Sequence, residues 1–594
     1  MNVHQQFASY WEDDTLYPYA YWAHKSLQDG NICFDVEALH SIDDLKPYSI
    51  DSNLVKSSQF VSKDASDIKP FIIHNNQFYI YKYFQYETKV LEAIKELNAY
   101  SEKYYTERVE FMRQIKTFEV IIDQHLTQFE TAKKVTDWQF VGALNGFLQQ
   151  FSILTGGPGT GKTTTIAKLL WLLKEENPAI KVAMTAQTGK AAARMLESLE
   201  QNPIYIEQLK EIIQPKASTI HKLLGTKQYS PYFKHHKDNP LAYDVVIVDE
   251  ASMIDVPLFA KLLEAIDPAA TRIIVLGDQN QLVSIEAGSL LKDLCDSIKT
   301  DSHPTVNQFS ADFVQLVNAK LNHHPIPDTS IINSSKNPLI GKITGLEISR
   351  RFDDNSAIGQ LSQAILEENT TKVDSFLQQR ELKTEKESVT FNEDENDLNY
   401  FVNLFKKYIQ EPDIEKAIKE LNKVRILCAV RQGLQGVYHF NQLVETALKR
   451  KRLIEKEEVY YENRPILVTK NNAALDLYNG DVGIIRKDKE NKDIATAYFL
   501  KDGRIKAVPA ALLNEIETVY AMTIHKSQGS EFDHVLMVLP KSQDSKLLTK
   551  ELIYTGVTRA KKELFIESSA EVLLSGITRR INRASGVVKR LNQN

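Results

Sequence analysis

Thr155 to Thr165 spell TGGPGTGKTTT, a glycine-rich run in which Gly156, Gly161, Lys162 and Thr163 hold the spacing GxxxxGK[ST]. Glycine lets a backbone curl until several N–H groups point at one anion. Gly157, Pro158, Gly159 and Thr160 fill the interior of the run, and Thr164 follows it. At this spacing the lysine reaches the β- and γ-phosphates of a nucleotide, and the adjacent hydroxyl, Thr163, binds Mg²⁺. A helix starting at the end of the run adds the positive end of its dipole. The chemistry is grip on a nucleoside triphosphate such as ATP; the run alone does not say what the grip is for.

Further along, VVIVDEASM ends an apolar strand on Asp249 and Glu250. Asp249 would complete the Mg²⁺ shell through water, and Glu250 would act as general base on an attacking water. A base beside the metal ligand favours hydrolysis over transfer to a small substrate. For the pair taken alone, a solvated acidic turn is the plain alternative. The phosphate loop upstream and the apolar strand before the pair speak for the chemical reading.

These groups need a scaffold. From about residue 150 to 290, short apolar strands alternate with helical patterns. Phe151 to Thr155, Val182 to Thr185, Val245 to Val248 and Ile273 to Leu276 read as strands, and Ile166, Leu169, Leu170 and Leu173 as one helix face. Buried strands alternating with helices predict an α/β fold with a parallel sheet covered on both faces. Residues 296–345, rich in Ser, Asn, His and Pro, predict loops with one short helix. A second alternating region begins at Val424 to Val430 and ends with strands at Val535 to Val538 and Glu563 to Glu567. Between its parts, PILVTK, NGDVGII and TAYFL predict a small β-barrel inserted over about residues 455–515. Residues 1 to about 135 carry apolar and aromatic residues at helical spacing (Tyr17, Tyr21 and Trp22, then Val90, Ile94 and Leu97) and no catalytic constellation.

With 594 residues there is room for three to five domains at about 100–200 residues each. Lys and Arg number 72 against 78 Asp and Glu, a net charge of −6, so any nucleic-acid contact must come from a local groove. Three scattered cysteines, Cys33, Cys295 and Cys428, argue against a disulfide framework, a zinc site or an iron–sulfur cluster, and fit a reducing compartment. The first residues lack the pattern of a signal peptide, and no apolar run reaches the length of a membrane span. The expectation is a soluble, cytoplasmic protein with no membrane partner.

Five further strings turn a nucleotide hydrolase into a motor. They are AQTGKAAARM (Ala186 to Met195), STIHKLLG (Ser218 to Gly225), LGDQNQLVSIEAG (Leu276 to Gly288), TIHKSQGSEF (Thr523 to Phe532) and YTGVTRAKK (Tyr554 to Lys562). Each is polar and follows an apolar stretch, the position at which strand-end loops touch nucleotides or nucleic-acid backbones. Together and in this order they resemble the superfamily-one DNA helicases, and within them the RecD family, over roughly residues 135–590. The resemblance implies two RecA-like P-loop motor domains, at 136–345 and at 346–454 with 516–594. It also implies a helical N-terminal partner-docking domain at 1–135, an SH3-like β-barrel at 455–515 and a duplex-splitting hairpin near 225–241.

The same resemblance implies roles for particular residues. Gln139 would read adenine, and Gln281 would sense the γ-phosphate. Arg351, in SRRF and followed by Phe352, and Arg559 would reach the nucleotide from the second motor domain, with Arg350 as the competing choice for the first of them. Thr188, Thr219, His221, Thr523 and His525 resemble positions beside the single strand; loop packing is the alternative for both histidines. His235 and His236 invite a metal reading, but no further ligand is spaced for one. The family implies 5′→3′ movement on single-stranded DNA at duplex ends. It also implies a heterotrimer with RecB-like and RecC-like subunits and a role in double-strand break repair and recombination. A standalone RecD-like helicase is the competing reading, and a scaffold without hydrolysis is opposed by the intact Lys162, Asp249, Glu250, Gln281 and Arg559. No nuclease signature stands in the chain. The basic tail from Ile577 to Asn594 would touch DNA or a partner, or end as a solvated helix.

Overall fold

The computed structural model describes the chain except residues 1, 116–120, 122–134, 205–208, 210, 214–216, 228–229, 285, 322–323, 334, 352–355, 393–396, 456–457, 473, 488–493, 502, 544 and 594. Phe352 and two residues of the expected hairpin, 228 and 229, therefore lie outside the described residues.

Among the described residues four β-sheets form. The first lobe is a six-stranded sheet ordered β10-β5-β9-β8-β6-β7. Its strands are β5 (Phe151–Gly156), β6 (Val182–Ala186), β7 (Ser218–Thr219), β8 (Val245–Asp249), β9 (Arg272–Gly277) and β10 (Ile343–Leu346). All its pairings are parallel. Side chains alternate across it. Ile153, Val246, Val248, Ile273 and Val275 enter one core, and Leu154, Val245, Ile247, Ile274 and Leu276 enter the other. That two-sided burial is why these strands read as continuous apolar runs. β10 lies in the stretch expected to be loop; its four residues are too few to stand out in sequence.

The second lobe repeats the plan in the order β11-β12-β21-β20-β13-β19. Its strands are β11 (Glu381–Lys383), β12 (Ser388–Asn392), β13 (Val424–Cys428), β19 (Ala521–Thr523), β20 (Phe532–Val538) and β21 (Ala560–Glu567). Only the edge pair β11–β12 is antiparallel.

Between β13 and β19 the chain forms a five-stranded antiparallel sheet of β14 (Pro465–Val468), β15 (Val482–Lys487), β16 (Ala495–Lys501), β17 (Arg504–Pro509) and β18 (Ile516–Thr518). Its order is β17-β16-β15-β14-β18, so β17 and β18 are edges and backbone pairing among the described residues does not close it into a barrel. Its last strand also runs past residue 515, the limit expected from sequence, because Ile516, Glu517 and Thr518 pair with β14.

The N-terminal region is not helix alone. β1 (Cys33–Asp35), β2 (Val61–Ser62), β3 (Phe71–His74) and β4 (Gln77–Ile80) form a four-stranded sheet. FIIH-NN-QFYI is a hairpin whose Asn75 and Asn76 carry φ of +51° and +62°. Two-residue turns with positive φ at both positions favour Asn, so the signal stood in the sequence; dense aromatics at helical spacing masked it.

The long helix Tyr81–Gln114 then leaves this region and buries Val90, Ile94 and Leu97 in the same core as Phe151 and Ile153. Each such side chain contributes about 1.5–3 kcal/mol when fully buried. The helix is thus a cover for the first lobe's sheet.

The C-terminal tail likewise differs from expectation. It is not a solvated helix end, because its apolar residues have a core to enter. Val587 and Leu591, in the helix Val587–Gln593, share the core of the first lobe. Arg590 Nη2 donates to Thr88 Oγ1 at 2.7 Å and Nη1 pairs with Glu87 at 3.5 Å. Arg583 donates to the carbonyls of Glu286 and Gly288, and Ser585 donates to Asp293 at 2.8 Å. The tail straps the second lobe to the first.

Candidate active site and single-strand track

The phosphate loop lies between β5 and the helix Lys162–Glu176. Gly159 and Gly161 carry φ of +77° and +89°, a region that side-chain-bearing residues rarely adopt. Crowding fixes the same identities. A Cβ on Gly161 would stand 2.1 Å from Gln139 Nε2, and one on Gly159 2.4 Å from Arg351 Cβ. Lys162 Nζ bends back to donate to the carbonyls of Gly156 at 2.7 Å and Gly157 at 3.2 Å. Thr160 Oγ1 donates to Gly157 O, Ser349 Oγ donates to Pro158 O, and Thr164 Oγ1 accepts from Asn202. Thr163 sits in the first turn of the helix.

Gln139 is buried on the helix Trp138–Leu148, and its Nε2 donates to Thr160 O at 3.1 Å. It lines a small cavity with Trp138, Thr160, Glu347 and Arg350. Arg350 therefore faces the cavity of Gln139, whereas Arg351 turns the other way and pairs with Glu531 at 2.8 Å. Among the described residues, Gln139 Oε1 and Gln281 Oε1 are buried without a hydrogen-bond partner.

Asp249 ends β8, and Glu250 follows with φ of +51°, strained backbone of the kind that persists where it aims a side chain. Burial and the neighbouring Glu250 push the Asp249 carboxyl up, against the pull of Lys162. Asp278, after β9, is also raised by burial, opposed by Lys162; it accepts from Gln281 Nε2 at 3.0 Å. Tyr554, from the second lobe, is buried, and burial together with the nearby Asp278 raises its pKa. Its hydroxyl would stand 2.8 Å from a Cβ on Gly157. Arg559 is 3% exposed and donates to the carbonyls of Thr555 and Ser530. Burial lowers its pKa, and Glu250 and Glu531 pull it back.

The cleft is stitched from both sides. Leu282 N donates to Thr555 Oγ1 at 3.0 Å, Gln528 Nε2 donates to Leu282 O at 2.9 Å, and Lys292 pairs with Glu551 at 3.2 Å. Sequence reading passed over Asp278, Tyr554, Glu531 and Arg194, although each stands inside a string already singled out. The signal was their position next to the expected groups.

The candidate single-strand residues gather at strand ends. Thr188 and Thr219 follow β6 and end β7, neighbours in the sheet. Each hydroxyl caps a helix by accepting from Ala191 N or Lys222 N, which leaves its own proton to donate. His221 packs edge-on to Phe233 of the Gly225–Leu241 segment, 5.8 Å between ring centres. In that segment Lys234 N donates to Gly225 O, and Thr226 bridges Phe233 antiparallel. His235 is turned to the carbonyls of Asn239 and Pro240, and among the described residues no cluster suits a metal ion. On the second lobe Thr523 ends β19 and accepts from Lys526 N at 3.2 Å; His525 follows, its pKa lowered by burial and by Arg583. The small sheet overhangs this face: a Cβ on Gly189 would lie 3.7 Å from Tyr478 Cβ.

Comparison with known proteins agrees with this layout. Residues 142–287 match the family model described as an AAA domain, and residues 518–566 match the UvrD-like helicase C-terminal domain. The chain is 33% identical over 571 residues to the RecBCD enzyme subunit RecD of Haemophilus influenzae, covering 90% of this chain and 83% of that protein. It is 29% identical over 434 residues to the ATP-dependent RecD2 DNA helicase of Deinococcus radiodurans, covering 70% of this chain but 47% of that one. The Pif1 helicase structure from Candida albicans aligns over 77% of this chain at 14% identity and TM-score 0.38. The phosphate loop, the AAA and UvrD-like helicase domain matches and the RecD and RecD2 relatives define an ATP-dependent DNA helicase. The chain belongs to the RecD family. No helix among the described residues is long and apolar enough to cross a membrane.

Proposed function

We propose that this chain is the RecD motor of a three-subunit RecBCD-type helicase–nuclease. In this reading it moves 5′→3′ on one strand at duplex ends and serves double-strand break repair and recombination. One observation favours the subunit over the standalone helicase: the chain is 33% identical to the Haemophilus RecD subunit over 90% of its own residues, against 29% over 70% for the Deinococcus RecD2 protein. Residues 1–135 would dock on the RecC-like partner, the lobes would be the motor domains, and the five-stranded sheet would serve as the SH3-like insertion.

ATP is the substrate, and the cleft fits it. The glycine cradle leaves no room for side chains, and two buried amide oxygens, on Gln139 and Gln281, await donors. Gln139 would take the adenine amino group, and Gly156 to Gly161 with Lys162 and Thr164 would wrap the phosphates. Thr163 and Asp249 would hold Mg²⁺, which when bound neutralises phosphate charge. Glu250 would take the proton of the attacking water while Gln281 orients it. Arg351, from the segment joining the lobes, and Arg559, from the second lobe, would stabilise the charge that spreads over the transferring phosphoryl. Closing and release of the cleft would shift Thr523 and His525 relative to Thr188, Thr219 and His221, stepping the motor along phosphates with little sequence preference.

The test is unwinding of duplexes with one single-stranded tail. Activity on 5′ tails and none on 3′ tails is expected of the chain by itself. A preference for 3′ tails would reject the RecD-type assignment, and purification from its native cell without two large partners would reject the heterotrimer.

A further inference from the structure

Arginines assigned above to the terminal phosphate lie against a carboxylate, Glu531, with Glu250 close by. Glu531, on the turn before β20, pairs with Arg351 at 2.8 Å and with Arg194 at 3.6 Å, and Arg559 Nη1 donates to the carbonyl of the adjacent Ser530 at 3.2 Å. These arginines come from three places. Arg194 lies on the first lobe's helix Gly189–Glu200, Arg351 on the segment joining the lobes, and Arg559 directly before β21 in the second lobe. The same Arg194 donates to Gly529 O, two residues before Glu531. The backbone beside Arg351 is itself locked to the phosphate loop, since Arg350 N donates to Gly159 O at 2.8 Å. Glu250 stands on the same spot, 3.8 Å from where a Cβ on Gly529 would be.

Three guanidinium groups converging on one partly buried site would repel one another without an anion between them. We propose that Glu531 is that anion: an internal stand-in for the γ-phosphate, which holds the arginines of both lobes in place while the site is empty and is displaced when a triphosphate enters. This rests on the reading of Arg351 and Arg559 as nucleotide-facing. Glu531 is a positioning residue under this proposal; it touches the arginines and acts on the reaction through them. It has two consequences. Opening the Arg–Glu531 pairs opposes ATP binding, so the site gives up affinity for the triphosphate. Because only the γ-phosphate replaces the carboxylate, a diphosphate leaves the pairs closed, and ADP is not opposed in the same way. The device thus narrows the preference for ATP over ADP, and it recloses the site when phosphate leaves.

The test measures equilibrium binding of ATPγS and of ADP to the intact chain, for wild type, Glu531→Gln and Glu531→Asp, with hydrolysis followed in parallel. Glu531→Gln keeps the shape and removes the charge. Its affinity for ATPγS should rise at least fivefold, with ADP within twofold of wild type and a lower KM for ATP. Glu531→Asp keeps the charge and should restore wild-type ratios. A weaker ATPγS affinity in Glu531→Gln, or an equal change for both nucleotides, would overturn the proposal and assign the carboxylate to another part of the nucleotide or to the fold. If Glu531→Gln unfolds, the aspartate variant decides: a changed ATPγS-to-ADP ratio there, in a folded protein, overturns it as well. Wild-type protein that binds neither nucleotide would instead sink the functional reading beneath it.

Discussion

The backbone N–H of Leu282 donates to the hydroxyl of Thr555 across the cleft, at 3.0 Å. Leu282 follows the candidate γ-phosphate sensor Gln281 directly, and Thr555 lies four residues before Arg559, whose Nε donates back to its carbonyl. The residue after Gln281 in one lobe and Arg559 in the other are thus joined through Thr555, a single buried residue.

Replacing Thr555 by Val keeps the shape and leaves the Leu282 N–H without its acceptor. The expected loss of stability is about 1–3 kcal/mol, the cost of an unsatisfied buried donor. Nucleotide binding should persist while DNA-stimulated hydrolysis falls by at least tenfold. Nucleotide titration and a steady-state ATPase assay on the same preparation check this; parallel losses in both would mean that the bond serves only the fold.

Lys162→Gln removes the ammonium that bridges loop carbonyls and would bridge phosphates. Hydrolysis should drop to background with the melting temperature nearly unchanged. Activity within tenfold of wild type would show that the loop is not the catalytic grip.

Gly161→Ala meets two obstacles. The residue needs a left-handed backbone, which costs a side-chain-bearing residue about 1–2 kcal/mol. Its new methyl would also lie 2.1 Å from Gln139 Nε2. Gln139 must move, so ATP affinity should fall by tenfold or more. GTP, which offers no adenine amino group, should suffer less; comparing the two nucleotides in a binding titration tests the adenine role of Gln139.

Glu87 is sealed under the C-terminal strap, facing Arg590, Gly586 N, Asp293 and Tyr79, with its pKa pushed up to about 7 mainly by burial. The folded protein therefore holds this proton more tightly than the unfolded chain. Its contribution to stability is complete below about pH 4.5, the ordinary value, and is lost as pH rises through about 7. Between pH 5.5 and 8.5 the melting temperature of wild type should fall further than that of Glu87→Gln. Parallel curves would show that the carboxyl carries its charge in the fold at every pH.

The sequence by itself determined what depends on short range. GxxxxGK[ST] specifies the loop because positive φ and close backbone approach can be met only by glycine at those places. The apolar strand before Asp249 is legible because a strand buried on both faces must be apolar throughout. The four-residue β10 and the Asn75–Asn76 hairpin escaped notice, the first for its length and the second beneath surrounding aromatics. Tertiary structure alone decided the rest. Glu531 reads as one acid among many until packing brings Arg194, Arg351 and Arg559 around it. Arg350 and Arg351 are chemically identical neighbours that the fold sends to opposite sides. The basic tail becomes a strap only because Val587 and Leu591 find a core left incomplete between the long helix and the first lobe. Local spacing encodes backbone geometry; which distant charges must share one desolvated site depends on how the two lobes close on each other.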